Sequence, residues 1–346
     1  MVIRQREPVN LESPFGSLDG VLTPNALFYV RSHFKAPVLR AEEWRLEIGG
    51  AVRQGVSLGL EELMALPAVT RMATLECAGN GRVFLVPQTE GAQWELGAVS
   101  TAEWTGVPLR AVLERAGMLD GATEVVLEGA DQGVPKEAPV PPGEIRYARS
   151  LPLAKLDEVL LAYRMNGEPL AEDHGFPVRA VVPGWYGMAS VKWLTRILVV
   201  REAFRGYFQT SDYASWEYVD GQPVRVPLGP MQLKSAIARP GVREVVAAGA
   251  TYEVTGAAWG GDAGLARVEV SADDGATWAE AQWMDPEQSG VWRRWRFAWP
   301  VPAEAGRRVL RARVWDRAGR TQPEEHDKRF GNYVIHHPLP IEVEVR

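Results

Sequence analysis

The strongest constraint on the fold is a change of periodicity near residue 232. Beyond it, Tyr252–Trp259, Leu265–Ser271, Trp292–Trp299 and Arg308–Trp315 are short β-branched and aromatic runs at regular spacing. Asp274-Gly275 and Asp316-Arg317-Ala318-Gly319 supply turns between such runs. That pattern predicts an antiparallel sandwich of immunoglobulin-like architecture. Before it, helix and strand signals mix. Thr105–Gly117 has apolar residues at 109, 112, 113 and 116, a helical spacing closed by Gly117. Val69–Glu76, Thr123–Glu128, Val159–Tyr163, Pro177–Val182 and Thr195–Val200 are bounded by Gly, Pro or Asn-Gly and predict strands. The expected class is therefore α+β: a mixed α/β domain over 1–228, then an all-β domain over 229–346. Gly221–Pro230, with three Pro and two Gly, is expected to be the linker.

Charge narrows the function. With a formal net charge of −6, the chain's overall field does not favour nucleic acid, so an anionic ligand must be drawn by a local cluster of Arg and Lys. No stretch approaches the ~18 apolar residues of a membrane span. The N-terminus carries no apolar signal segment and no twin arginine, so a cytoplasmic chain is expected, or a periplasmic one if the native start lies upstream. A single cysteine, Cys77, excludes an intrachain disulfide.

Cys77 closes a predicted strand and opens Cys-Ala-Gly-Asn-Gly-Arg, a tight loop with a thiol and, five residues on, the guanidinium of Arg82. A neighbouring positive charge favours the thiolate, the form that attacks or binds metal. Three readings stand at this point. A lone cysteine is most often buried and inert. A nucleophile is possible, although Leu75 breaks the Gly-x-nucleophile-x-Gly elbow. A metal ligand is the third; zinc spacing is unavailable with one Cys and five scattered His.

Taken together, several segments resemble the sulfite oxidase family, which includes assimilatory nitrate reductases. Thr74–Arg82 resembles that family's cysteine loop, and Phe28–His33 its early Arg/His motif. Trp94–Ser100 with Trp104-Thr105-Gly106, Ala162–Gly167, Asp173–Arg179, Val182-Pro183-Gly184 and Ser190–Trp193 follow in the family's order, over about residues 7 to 240. The resemblance implies molybdenum held by Cys77 beside the two sulfurs of a molybdopterin, a soft-ligand site suited to a thiolate. It also implies a second domain that makes a homodimer. Oxidation of sulfite to sulfate is the implied reaction, with electrons passed to a separate acceptor such as a cytochrome. No Cys-x-x-Cys-His occurs, so no haem is expected. The alternatives are another oxo transfer (nitrate, or another oxyanion or sulfoxide), a pterin-binding interaction protein without turnover, and a cysteine hydrolase.

The same resemblance assigns roles. Arg31 and Arg82 are expected around the substrate anion, because guanidinium groups hold oxyanions with fixed donors. Tyr213 falls at the family's active-site tyrosine, and Trp94 is expected to line the pocket. From the second domain Arg293 is expected to enter the site, since it shares parity with Trp295, Phe297 and Trp299 and so points to the apolar side. Tyr29, Arg31, His33, Cys77, Asp131, His174, Arg179, Ser190, Val191 and Lys192 are expected to hold the cofactor, with Arg179 and Lys192 suited to its phosphate. Two departures stand out. Gly81 and Ala189 occupy positions where many eukaryotic members carry Arg.

Overall fold

The computed structural model describes residues 1–136 and 139–346. The first half is built on two five-stranded sheets. One runs Glu168–Pro169, Leu160–Met165, Val99–Pro108, Val69–Glu76, all antiparallel, with Arg179–Val181 also paired to Leu160–Met165. The other runs Val56–Gly59, Arg45–Gly50, Leu194–Val200, Glu124–Gly133, Ile145–Pro152. Its only parallel pair among the described residues joins Leu194–Val200 to Arg45–Gly50. The predicted helix forms over Leu109–Ala116 and buries Leu109, Val112, Leu113 and Ala116. It stops where Gly117 takes a φ of 69°, a left-handed value that costs glycine little.

The second half is the expected sandwich. A four-stranded sheet (Lys234–Arg239, Thr251–Trp259, Arg293–Pro300, Gln282–Trp283) packs on a five-stranded one (Val245–Val246, Ile341–Val345, Gly306–Asp316, Leu265–Ser271, Ala279–Glu280). Val254, Val268, Trp295, Leu310 and Val314 form its core. Trp259 and Trp292 turn the other way and join the first half's core with Phe15.

The linker expectation needs correction. Gln222–Pro227 is a strand paired with Ala214–Val219 in a two-stranded ribbon, and Tyr213 stands at its base. Proline is compatible with such a ribbon because each strand has a free edge. The chain also returns late: Val334 N–H donates to the Ala78 carbonyl at 2.7 Å, so the C-terminal stretch packs on the cysteine loop.

Candidate active site

Strand Val69–Glu76 delivers Cys77 to a small cavity of about 60 Å³, whose wall carries Tyr29, Arg31, His33, Arg179, Lys192 and Tyr213. Alternation along the strand sends Leu75, and just beyond it Cys77, into the cavity wall, while Thr74 and Glu76 face away. Burial pushes the Cys77 thiol up, and Arg31 followed by Arg82 pulls it back. The apoprotein thus favours a thiol that a bound metal would deprotonate.

The segment Phe28–His33 lines one wall with Tyr29, Arg31, Ser32 and His33. Arg31 donates to Asn10 Oδ1 at 3.4 Å and to the Ser32 carbonyl. Tyr213 reaches in from the opposite side with its hydroxyl 2.8 Å from His33 Nε2. Its backbone sits at φ 46°, a strained left-handed conformation for a tyrosine, and such outliers cluster at functional sites. His33 is held well below the ordinary histidine value, first by burial and then by Arg31 and Lys192, so its imidazole is neutral at pH 7.

The far end of the cavity is cationic. Arg179 donates to the carbonyls of His174 and Ser190, both at 3.1 Å, and lies over the Trp104 ring. Lys192 donates to Ser32 Oγ and the Asp173 carbonyl, both at 2.8 Å. Burial pulls Arg179 down to about 10 and lowers Lys192 as well, with Arg179 adding to the effect on Lys192. His174 falls to about 4 through burial, Arg179 and Lys192. Asp131 shares this end, and burial pushes its carboxyl up, toward the neutral form. Ser190 completes the wall and anchors it, its Oγ accepting from Val182 N–H at 3.0 Å.

Four sequence expectations fail geometrically. Arg82 is 3% exposed and lies outside the cavity wall; its donors go to the Asn332 and Ala92 carbonyls at 3.1 and 2.7 Å. Gly79 leaves it room, since a Cβ there would lie 2.3 Å from the guanidinium. Arg82 therefore acts as a strut that ties the loop to Ala92 and Asn332. Trp94 is 0% exposed in the apolar cluster behind Cys77, outside the cavity wall. Val191 turns its side chain into the main core. Arg293 does lie on the Trp295 face, but at the strand's start, where it stacks 4.2 Å from the Trp283 ring centre and donates to the Asp285 carbonyl. Its neighbours are also engaged, Arg294 with Asp285 and Arg296 with Glu253. Among the described residues, no second-domain arginine reaches the cavity wall.

Other residues emerge only in three dimensions. Ser32 and Asp173 lie inside the Phe28–His33 and Asp173–Arg179 motifs and also line the cavity, while Tyr147 lines it from outside any motif. Tyr333 comes from the far end of the chain. Its hydroxyl donates to Asp212 Oδ1 at 2.5 Å, and its ring packs 4.8 Å from that of Tyr213. Gly81 has a φ of 95°, and a Cβ there would meet Ile335 and Leu339 at 3.2 Å. The left-handed backbone explains glycine at this position.

Residues 33–208 match the model of the oxidoreductase molybdopterin binding domain, and 226–332 that of the Mo-co oxidoreductase dimerisation domain. Mitochondrial sulfite oxidase of Mus musculus is 38% identical over 342 residues, covering 93% of this chain and 61% of that protein. Sulfite oxidase of Gallus gallus is 38% identical over 325 residues, covering 88% and 68%. The chain belongs to the sulfite oxidase family of molybdopterin-binding oxidoreductases. A nitrate reductase of Hordeum vulgare is 36% identical over 353 residues, covering 92% of this chain and 39% of that one. The sulfane dehydrogenase SoxCD of Paracoccus pantotrophus superposes with a TM-score of 0.83 at 29% identity, covering 97% and 84%. The chain spans about three fifths of the length of the mitochondrial sulfite oxidase from Mus musculus.

The cavity fits the family's cofactor. Two cations, Arg179 and Lys192, point their hydrogen-bond donors at uncharged oxygens. Asp131, whose own carboxyl is pushed toward the neutral form, is the nearby carboxyl acting on Lys192. An anion joining the two cations would offset the cost of burying them. A phosphate there would satisfy both. The neutral His174 and the carboxyl of Asp131 offer donors and acceptors to a heterocycle edge. Gly187 keeps the wall open beside Tyr29, whose hydroxyl would lie 2.5 Å from a Cβ at that position. Cys77 supplies the soft sulfur donor at the other end.

Proposed function

We propose that this chain is a molybdenum-dependent oxidoreductase that oxidises sulfite to sulfate and passes the electrons to a separate acceptor. The observation that carries this reading is one cavity holding a thiol, a cation beside the thiol and two more cations at the far end. Arg179 and Lys192 would hold the pterin phosphate, and Cys77 the metal. Molybdenum-molybdopterin bound there would supply two-electron oxo-transfer chemistry. Arg31 would bind the anion, keeping its charge at any working pH. Tyr213, oriented by His33, would hydrogen-bond an anion oxygen, since a phenol can donate and accept at once. Cys77, Arg179, His174 and Tyr213 are almost wholly buried, so these contacts act in a lowered dielectric. The match to a dimerisation domain supports a homodimer.

The test is elemental analysis combined with sulfite-dependent dye reduction on the same purified sample. About one molybdenum per chain with sulfite turnover is expected. Metal with turnover of nitrate but not sulfite would transfer the reading to the nitrate-reducing branch. A second reading follows from Arg293, whose absence from the cavity wall leaves Arg31 as the arginine lining it near Cys77, with Arg179 at the other end. A site with that much less positive charge would suit a sulfane sulfur compound, and a sulfane donor belongs in the same assay. Cys77→Ser is expected to fold and to lose turnover; full activity in that variant would remove the ligand role.

A further inference from the structure

The second domain grips the cysteine loop from behind. Thr74 N–H donates to the Gly290 carbonyl at 2.8 Å, and Thr74 Oγ1 accepts from Trp292 N–H at 2.7 Å. Two residues on, the Glu76 carboxylate takes Lys234 Nζ at 2.9 Å on Oε1 and Trp259 Nε1 at 2.8 Å on Oε2. The Ala78 carbonyl accepts from Val334 N–H, the Asn80 carbonyl accepts from Lys234 Nζ at 2.8 Å, and Arg82 Nε donates to the Asn332 carbonyl. Every second residue from 74 to 82 is thus tied to the second domain, while Leu75 and Cys77 between them face the cavity.

Glu76 is the centre of this grip. Both it and Lys234 are 1% exposed. Its Oε1 also accepts from Asn80 Nδ2 at 3.1 Å, and Asn80 Oδ1 in turn takes Ala98 N–H at 3.1 Å. Cys77 N–H donates to the Ala98 carbonyl at 2.8 Å, and Asn80 N–H to the Cys77 carbonyl at 2.9 Å. The backbone on both sides of the cysteine is therefore fixed through one carboxylate. Lys234 and Trp259 face each other across paired strands of the second domain, so a single cross-strand pair supplies both donors. A buried ion pair is weak evidence for stability, because two desolvated charges seldom outdo well-packed apolar groups. Its directional hydrogen bonds do define geometry. Neither charge faces the cavity, so chemistry within it does not require them there.

We propose that Lys234, Glu76 and Trp259 are positioning residues for Cys77, so that the second domain sets the geometry of the metal-binding thiolate in addition to its role in assembly. The proposal rests on Cys77 being the metal ligand. Its experiment compares full-length, cofactor-loaded variants by thiolate-to-metal charge-transfer absorption, metal content and steady-state kinetics. Lys234→Met/Glu76→Leu removes both charges with little change in volume. A displaced or broadened absorption band is expected at unchanged metal content, with kcat down about tenfold or more and KM nearly unchanged. Ile237→Ala, in the second domain's own core, should lower stability and leave the band in place. Trp259→Phe keeps the ring and deletes one donor to Glu76; it should move the band the same way by less, and it serves if the double variant does not fold. An unmoved band and an unchanged kcat in the double variant, or an unmoved band in Trp259→Phe, would overturn the proposal. Cys77→Ser separates the two claims. It should lose the band altogether, and a wild-type spectrum there would sink the ligand assignment and the positioning role together.

Discussion

The basic side chains that line the cavity of the first half and those paired on the second domain live in opposite circumstances. In the second domain Arg294 sits against Asp285, Arg313 against Glu269, Arg317 against Glu287 and Arg320 against Asp316. In the first, Arg31, Arg179 and Lys192 are desolvated and donate to carbonyl, amide or hydroxyl oxygens. A cation matched by a carboxylate is complete without a ligand. One that is buried and matched only by neutral oxygens leaves a free-energy gap that an anion can close. Burial against neutral oxygens is not sufficient, since Arg82 and Arg149 are buried against carbonyls outside the cavity; what sets Arg31, Arg179 and Lys192 apart is that they also line it.

The sharpest way to break this comparison is Arg31→Met. Deleting one partner of a buried charge contact costs about 2–5 kcal/mol, so kcat/KM for sulfite should fall by about two to three orders of magnitude while metal content holds. A loss below about tenfold would mean that the anion is held elsewhere.

Arg82→Met tests the other side. Its donors tie the loop to the Ala92 and Asn332 carbonyls, so its removal should lower stability by about 2–3 kcal/mol, read from denaturant midpoints. KM for sulfite should change by less than about threefold. A large KM effect with unchanged stability would return Arg82 to the substrate.

Lys192→Met predicts opposite changes in stability and function. The variant should bind less pterin, yet its apoprotein should be more stable by about 1 kcal/mol at pH 7, after the lost hydrogen bonds are offset against the removed desolvated charge. The sign of the pH dependence follows from the lowered folded-state value of Lys192. Between that value and the ordinary 10.5, the unfolded chain binds more protons. The wild-type apoprotein should therefore gain stability as pH rises through this window, and the variant should lose that slope. Parallel curves would show that Lys192 is already compensated.

The sequence made the elements and much of the cavity wall legible, and the failures share a cause. Val69–Glu76 and Leu265–Ser271 form over the expected residues, because alternation and turn residues are local signals. Arg31, His33, Asp131, His174, Arg179, Lys192 and Tyr213 line the cavity because family motifs carry three-dimensional information that composition lacks. What escaped was occupancy. A sequence shows that Arg82 has donors, but not that the Ala92 and Asn332 carbonyls accept them. Proline and glycine at 221–230 look alike in a linker and in a ribbon. Tyr333 was out of reach because only the folded chain brings residue 333 beside residue 213.

Arg293 is the smallest expected effect and the most informative about that limit. Parity placed it correctly on the Trp295 face, but parity gives a side of a sheet and says nothing of depth. At the strand's start the face is roofed by Trp283 rather than by the cavity, and the guanidinium stacks there. Arg293→Met should therefore leave kcat/KM within about twofold and cost no more than about 1 kcal/mol, the scale of a partly exposed cation–π contact. If kcat/KM instead fell tenfold or more, the arginine would have to leave Trp283 and enter the cavity when the anion binds. The separation between matched and unmatched charges would then describe only the ligand-free protein. A fluorescence change at Trp283 on adding sulfite, absent in the variant, would reveal that movement directly.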